Sequence, residues 1–333
     1  MLFVLFLAFS FTSCDDSAVH THEYGEWIID EAKSIRTKKC SCGDIITESI
    51  VLAADKDSLQ KALERNSEQP IYLTDNIESS EPIKVNTKKL LNLNEKTIIN
   101  ETGNAINVLE NGDLTIEGNG FVKAPKATVV SVFKGQVTID SGTYQGKYGI
   151  ENEYVEPTSG KIIINGGTFE SSEFTLGIYG SGVLVVNDGH FKATDNAVIG
   201  TQGRSDYASE AYNITINGGT FDGEITTEGY IACGIYMANN GKVTLNGGIF
   251  NINGGVGIAL RSGKLIVNNT TINLTHKTGL EAGKVGDSLI QLTQGSEIVI
   301  DPKSNYPGGH PAYENHSNYI IKAADGTDYQ PEK

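Results

Sequence analysis

Residues 162–169 read IIINGGTF, and residues 214–221 read ITINGGTF. The same eight-residue frame recurs with small changes in seven copies, which start at Leu114, Val137, Ile162, Leu184, Ile214, Val243 and Leu265. Each copy opens with apolar residues in alternate positions, which predicts a half-buried β-strand. In most copies a polar residue and a glycine-containing pair follow, and they predict a turn into the next strand.

The spacing of these copies indicates how the strands are arranged. Successive starts are separated by 23, 25, 22, 30, 29 and 22 residues. A second short motif of the Gly-Ile type lies between the copies, so each repeat holds about three short strands without room for a helix. Because one such repeat cannot bury its apolar face alone, the pattern predicts a solenoid whose coils stack at about 4.8 Å. A leucine-rich solenoid would need Leu at fixed positions, and a β-sandwich would not keep one frame through seven copies.

The repeat resembles the coils of the right-handed parallel β-helix of the pectin-lyase-like superfamily. We therefore expect an all-β fold: a right-handed, single-stranded parallel β-helix (solenoid) over residues 55–300, with a C-terminal cap and tail over residues 301–333. That superfamily contains lyases, hydrolases, adhesins and phage spikes, so the resemblance implies a fold rather than one activity.

Two ladders follow from the frame. The last residue of each copy is predicted to stack inside the solenoid: Phe121, Tyr144, Phe169, Phe191, Phe221, Phe250 and Ile272. The polar fourth residue is predicted to stack at one turn, where Asn can bond to the next coil: Glu117, Asp140, Asn165, Asn187, Asn217, Asn246 and Asn268.

A short helix is predicted just before the strands. Asp57 or Ser58 supplies an N-cap, and Leu59, Ala62 and Leu63 fall on one face at helical spacing. An amphipathic helix at this place predicts an N-terminal cap on the solenoid.

The N-terminus has the features of an export signal. Residues 1–11 are an uncharged apolar run, and polar residues begin at Cys14. This pattern resembles a bacterial lipoprotein signal, which implies a signal peptide over residues 1–13, a lipidated Cys14 and a linker over residues 14–19. The protein would then be extracytoplasmic and membrane-anchored, on the outer membrane or cell surface of a bacterium. A plain cleaved signal with an incidental Cys14 is the alternative.

Residues 20–54 are predicted to form a small hairpin module. They resemble a short His/Cys repeat of secreted bacterial surface proteins through His20, His22, Trp27, and the Cys40 and Cys42 pair that precedes Gly43. His20 or His22 with both thiols would suit Zn²⁺. The C-x-C spacing is unusual for zinc, so a hairpin with idle thiols is the favoured interpretation.

The charge of the chain limits its partners. It holds 26 basic and 41 acidic residues, a net charge of −15, which disfavours nucleic-acid binding. Its four cysteines do not indicate a disulfide framework, because Cys40 and Cys42 are too close in sequence to pair without strain.

The longest spacings between copies place insertions on the solenoid, and these predict a binding face. Tyrosine rings stack on sugars, while acidic and basic groups bond hydroxyls or carboxylates. We expect a glycan groove made by Glu151, Tyr154, Tyr179, Arg204, Tyr207, Tyr212, Tyr236 and Arg261.

The sequence favours binding over catalysis. The paired Asp, Gly-His-Gly and Arg-x-Lys motifs of polygalacturonase-like relatives do not occur in the repeats. The expected function is a lipoprotein that binds glycan or another cell-surface ligand without catalysis and without a cofactor, with Ca²⁺ or Zn²⁺ as lesser alternatives. A polysaccharide lyase or glycoside hydrolase using Arg204, Asp206 and Glu210 is the alternative, and a structural stalk is a second. Asp188 and His190 straddle one turn, which is interpreted as a surface turn.

Overall fold

The computed structural model describes residues 21–152, 159–201, 211–224, 226, 232–238, 240–253, 255–260, 263–275, 298–300 and 312–315. The chain divides into two compact units between Ile50 and Val51. Val51–Ala53, which lies inside the module predicted over residues 20–54, pairs with Ile71–Leu73 in the second unit.

The elements follow in chain order. They are β1 (Ile28–Asp30), a 3₁₀ turn (Glu31–Lys33), β2 (Ile35–Lys39), β3 (Ile45–Ser49), β4 (Val51–Ala53), α1 (Lys56–Glu64), β5 (Ile71–Leu73), β6 (Ile77–Glu78), β7 (Ile83–Val85), β8 (Lys88–Asn92), β9 (Thr97–Ile99), β10 (Ile106–Val108), β11 (Asp113–Glu117), β12 (Phe121–Val132), β13 (Gln136–Ile139), β14 (Thr143–Asn152) and β15 (Lys161–Ile164). The later strands are β16 (Thr168–Ser171), β17 (Leu176–Ile178), β18 (Val183–Val186), β19 (His190–Thr194), β20 (Ala197–Thr201), β21 (Tyr212–Ile216), β22 (Thr220–Glu224), β23 (Ala232–Met237), β24 (Gly241–Leu245), β25 (Ile249–Asn253), β26 (Gly255–Leu260), β27 (Lys264–Val267), β28 (Thr271–Thr275), β29 (Ile298–Ile300) and β30 (Ala312–Asn315).

The first unit is a three-stranded antiparallel sheet in the order β1-β2-β3, not the two-stranded hairpin that the sequence predicts. Its main packing contact is polar and aromatic. The Arg36 guanidinium lies 4.0 Å from the centre of the Trp27 ring and donates to the Glu48 carboxylate at 2.6 and 2.8 Å. Cation–π stacking and a paired charge thus hold a unit that has little apolar core.

The second unit is a parallel β-solenoid of about eight turns, as the repeat predicts. An eleven-stranded sheet runs from β4 to β30, and a sixteen-stranded sheet covers the rest of the coil. In the larger sheet the long strands β12 and β14 link two halves, one that continues through β16, β19, β22, β25 and β28 and one that continues through β17, β20, β23, β26 and β29. All strand pairs among the described residues of this unit are parallel, so equivalent residues of successive coils lie side by side.

An aromatic stack fills the interior, as the frame predicts. The rings of Tyr144, Phe169, Phe191, Phe221 and Phe250 are fully buried. Neighbouring ring centres lie 4.8, 4.8, 4.8 and 4.4 Å apart, with interplanar angles of 9–11°. Stacked rings at the coil spacing make each coil depend on the next, since each ring gains contacts on both faces.

The prediction for Phe121 is wrong. Its side chain is 40% exposed, and Val122 takes the inward position opposite Tyr144. The turn Gly118-Asn119-Gly120 is one residue longer than the turns of the later copies. Since strand residues alternate in direction, one extra residue turns Phe121 outward.

The polar ladder forms as predicted along one turn. Asn165 donates to Asp140 at 2.7 Å, and each later amide of the ladder donates to the one before at 2.7–2.9 Å, through Asn187, Asn217, Asn246 and Asn268. In the coils before this ladder, Asn92 donates to Glu117 at 3.0 Å. An amide can donate to one coil and accept from the other, so a chain of bonds runs along the solenoid.

The predicted cap is present as α1. Its N-cap is Asp55, not the predicted Asp57 or Ser58, which lie in the first turn. The Asp55 carboxylate accepts from the Ser58 backbone N–H in a capping box. Leu59 and Leu63 are buried in the same core as the strands. At the other end, the Lys89 ammonium donates to the carbonyl oxygens of Arg65 and Ser67, which lie just beyond the helix. No described helix is both long and apolar enough to cross a membrane.

Strand pairing continues past the predicted end of the solenoid at residue 300. Strand β30 pairs in parallel with β27, in the region predicted as a C-terminal cap and tail. The remaining residues of the segment 301–333 lie outside the described part of the chain.

Candidate functional site

One side of the solenoid carries two rows of outward-facing polar residues, which we call the polar face. The first row holds Thr143, Thr168, His190, Thr220 and Thr271, interrupted by Ile249, and the second holds Gln145, Glu170, Lys192, Asp222, Asn251 and Asn273. These rows arise because the aromatic stack occupies the alternate positions of the same strands. Each row repeats at the strand spacing of about 4.8 Å.

Several side chains of the second row are bonded to a neighbour in the same row. Gln145 donates to Glu170 at 2.8 Å, Asn251 donates to Asp222 at 2.9 Å, and Asn273 donates to Asn251 at 2.9 Å. These bonds fix the positions of the amides and carboxylates, while hydroxyls of the first row stand beside them. The face is therefore an ordered array of donors and acceptors.

His190 belongs to this face and pairs with the next coil. Its Nε2 lies 2.6 Å from Asp222 Oδ2, and its side chain is half exposed. Asp188, considered with His190 in the sequence, instead accepts from the backbone N–H of Gly189 at 2.8 Å. Asp188 therefore lies in a surface turn, as the sequence predicts. His190 instead pairs with Asp222, which lies 32 residues later in the chain.

The second half of the larger sheet carries a different outward row, which we call the glutamate row: Ser131, Glu151, Gly177, Gly200, Tyr236 and Ala259. The Glu151 carboxylate accepts from the Thr128 hydroxyl at 3.1 Å and from the Tyr179 hydroxyl at 2.8 Å. Glu151 is 9% exposed and Tyr179 is 6% exposed. Glu151 and Tyr179, both predicted as ligand residues, therefore lie together, and the Tyr179 hydroxyl is bonded to the Glu151 carboxylate.

Gly177 makes this arrangement possible. A Cβ there would lie 2.6 Å from Glu151 Oε1 and 2.8 Å from the Tyr179 hydroxyl. Gly200 in the next coil is covered in the same way by the Phe174 ring, which would lie 2.6 Å from a Cβ. At Gly177 and Gly200, the missing Cβ therefore leaves space in which neighbouring side chains pack against the backbone.

The expectation that Tyr212 lines a groove does not match its position. Its ring is 1% exposed and shares the inward direction of Ile214 and Ile216 on β21. Burial raises the pKa of Tyr212 well above its usual value, an effect that the neighbouring Thr201 hydroxyl opposes. Its hydroxyl has no hydrogen bond of good geometry among the described residues. Alternation along β21 is the signal that places this ring inside.

The remaining predicted ligand residues divide into two groups. Tyr236 is half-buried in the glutamate row. The others fall outside the described residues, together with the candidate catalytic residues and the lipidation site: Tyr154, Arg204, Asp206, Tyr207, Glu210, Arg261 and Cys14.

In the first unit, three of the residues considered for zinc lie together. Cys42 Sγ is 3.2 Å from His22 Nδ1 and 2.9 Å from Cys40 Sγ. Hydrogen bonds from the thiol and the backbone N–H of Cys42 lower the pKa of Cys40 to about 6. His20, the fourth residue considered, lies outside the described residues.

Comparison with known proteins does not identify a family. No protein-family model matches the chain, and no curated protein or solved structure is significantly similar to it.

Proposed function

We propose that the protein is an extracytoplasmic lipoprotein of the pectin-lyase-like β-helix type that binds a glycan without catalysis, and that the polar face is its binding surface. The observation that carries the proposal is the array of hydroxyls, amides and carboxylates held in two rows by bonds such as Asn251 to Asp222. Sugars present several hydroxyls that need both donors and acceptors, and amides and carboxylates supply them. Positions fixed before binding reduce the entropy lost on association.

The shape of the face favours a polymer. Equivalent groups recur in six successive coils from β14 to β28, so an extended chain would meet the same chemistry several times. Repeated weak contacts along one ligand raise the apparent affinity without any single strong contact. The Ile249 side chain, 46% exposed in the first row, adds an apolar surface for the carbon face of a sugar ring.

The charge of the chain favours a neutral glycan. The net charge is −15, and the polar face itself carries Glu170 and Asp222 against Lys192, whose ammonium is paired with Glu224. A polyanion such as a polyuronate would be repelled at low salt. We therefore place neutral polysaccharides ahead of acidic ones as the ligand.

A binding experiment with matched variants tests this proposal. The full chain is titrated with neutral and uronic polysaccharides in affinity electrophoresis. Asn251→Ala and Lys192→Gln alter the polar face, whereas Lys242→Gln alters an exposed lysine on the eleven-stranded sheet. We expect both polar-face changes to weaken retardation by a neutral polymer about 5–10-fold, the equivalent of losing roughly one hydrogen bond of about 1 kcal/mol, and Lys242→Gln to leave it unchanged.

Two results would oppose the proposal. Retardation of both polar-face variants equal to that of the unaltered chain would place binding elsewhere, and the absence of retardation by every polymer would favour the stalk. New reducing ends or unsaturated ends in the incubated polymer would favour the lyase or hydrolase alternative instead.

The anchor is proposed separately, on Cys14 and the apolar run before it. Two or more acyl chains hold a protein stably on a membrane. Cells expressing the full chain should incorporate labelled palmitate into it and keep it in the membrane fraction. A Cys14→Ser variant should lose both, and a labelled or membrane-bound variant would contradict the lipoprotein proposal.

A further inference from the structure

The three-stranded unit brings two thiols and an imidazole together through its backbone register. Tyr24 and Cys40 form an antiparallel bridge, and the Gly25 backbone N–H donates to the Lys39 carbonyl oxygen at 3.1 Å. This bridge holds the chain before Tyr24 beside the turn that follows Cys40. The His22 Nδ1 atom lies 3.2 Å from the Cys42 sulfur there.

A tight turn then places the second thiol beside the first. The Gly43 backbone N–H donates to the Cys40 carbonyl oxygen at 2.9 Å, and the Cys40 N–H donates to the Asp44 carbonyl oxygen at 2.8 Å. Gly43 has a φ of 97°, which a residue with a Cβ rarely adopts. The turn folds Cys42 back so that its backbone N–H donates to the Cys40 sulfur at 3.4 Å.

We propose that His22, Cys40 and Cys42 bind Zn²⁺, with the Asp44 carboxylate as the fourth ligand. The ligand atoms of the first three all lie within 4.8 Å of one another. Asp44 Oδ2 is 3.7 Å from His22 Nδ1. The Tyr24 hydroxyl donates to that carboxylate, as an outer group does when it orients a ligand.

The distances are close to those that a tetrahedral zinc ion needs. With Zn–S bonds of about 2.3 Å and a Zn–N bond of about 2.0 Å, ligand sulfurs lie about 3.8 Å apart and sulfur lies about 3.5 Å from nitrogen. The observed separations are 2.9 and 3.2 Å. Side-chain shifts of less than about 1 Å therefore open the cluster to the metal.

The small apolar core of the three-stranded unit favours stabilisation by a bound metal. Among its described residues 21–50, only Arg36, Cys40 and Ile50 are buried, while Ile28 and Ile45 are 69% and 55% exposed. A small domain with so little buried apolar surface gains its folding energy from disulfides, metals or partners. Because a metal site does not exist in the unfolded chain, its binding energy becomes folding energy.

The donor set selects the metal. Two thiolates and an imidazole are soft or borderline ligands, which excludes Ca²⁺ and Mg²⁺ as occupants. Two thiolates and an imidazole occur in the usual structural zinc sets, and a carboxylate oxygen is also a known zinc ligand. The C-x-C spacing is unusual for zinc when only the two thiols are considered. The bridge between Tyr24 and Cys40 brings a third ligand, His22, to these thiols.

The test uses the reduced full chain loaded with Zn²⁺ or Co²⁺. We expect one Zn²⁺ per chain after desalting, and a Co²⁺ spectrum with a sulfur charge-transfer band and intense tetrahedral ligand-field bands. Cys42→Ser and His22→Ala should weaken Zn²⁺ binding by more than about 100-fold, and Asp44→Asn by about 10–100-fold. Cys233→Ser is the matched control, since it removes a thiol from β23 of the solenoid and should change nothing.

A second measurement separates metal binding from misfolding of the variants. Removing Zn²⁺ from the unaltered chain with a chelator should raise amide hydrogen exchange in β1–β3 at least 10-fold and leave the solenoid strands unchanged. A reduced chain that binds no Zn²⁺, binds only Cu⁺, or keeps its Zn²⁺ in Cys42→Ser would overturn the proposal. The glycan-binding proposal does not depend on this result, because it concerns the other unit.

Discussion

Replacing Phe191 by Ala should destabilise the solenoid more than almost any other single change. The Phe191 ring is fully buried, with the rings of Phe169 and Phe221 each 4.8 Å away. Truncating a buried Phe costs about 3–5 kcal/mol, because both transfer energy and a cavity are involved. Each stacked pair contributes about 0.5–1.5 kcal/mol beyond its area, so two lost pairs place the expected cost near 5 kcal/mol.

Phe121→Ala is the matched control, since the sequence frame treats both residues alike. The Phe121 side chain is 40% exposed and contacts the Lys123 ammonium, 4.7 Å from the ring centre. Its loss should cost only about 1–2 kcal/mol. Equilibrium guanidinium unfolding followed by circular dichroism measures both free energies of unfolding. Equal costs for the two variants would refute the assignment of the stack.

Three further substitutions test individual contacts by thermal unfolding. Tyr212→Phe removes a buried hydroxyl that makes no hydrogen bond of good geometry to the described residues. It should keep or raise the free energy of unfolding by about 1 kcal/mol, whereas a fall would show that the hydroxyl bonds Thr201. Asn217→Ala breaks the exposed amide ladder on both sides and should cost about 1 kcal/mol, while Asn213→Ala on the same strand should cost much less, and equal costs would contradict the ladder. Gly177→Ala introduces a Cβ where the space is filled and should cost about 1–3 kcal/mol, so a neutral result would contradict the packing of the glutamate row.

The repeat predicts the fold because its information is local. Alternation fixes which residues point inward, and the Asn-Gly-Gly turns fix where strands end, as in the copies that lead to Phe169 and Phe221. The same logic fails at Phe121, where one extra turn residue changes the parity of the strand. The same alternation predicts a buried Tyr212, because Tyr212 lies two residues before the inward-facing Ile214 on β21.

The candidate site is less predictable because its contacts join different coils. His190 meets Asp222, and Glu151 meets Tyr179, only once the register between coils is known. The number of residues in each coil varies with its insertions, so sequence spacing alone does not give that register. The thiol cluster is similar, since the place of His22 depends on the bridge between Tyr24 and Cys40.

Distances along the polar face test the central claim that the chain winds as stacked parallel coils. Thr97, Thr220 and Thr271 lie in one outward row, with Thr220 five coils and Thr271 seven coils from Thr97. Spin labels on cysteines at these positions, with the native cysteines changed to Ser, permit pulsed electron paramagnetic resonance measurements on the 97/220 and 97/271 pairs. At about 4.8 Å per coil the backbone separations are about 24 and 34 Å, so the second distance should exceed the first by about 10 Å. Equal distances, or a shorter second one, would contradict the stacked coils and with them the polar face.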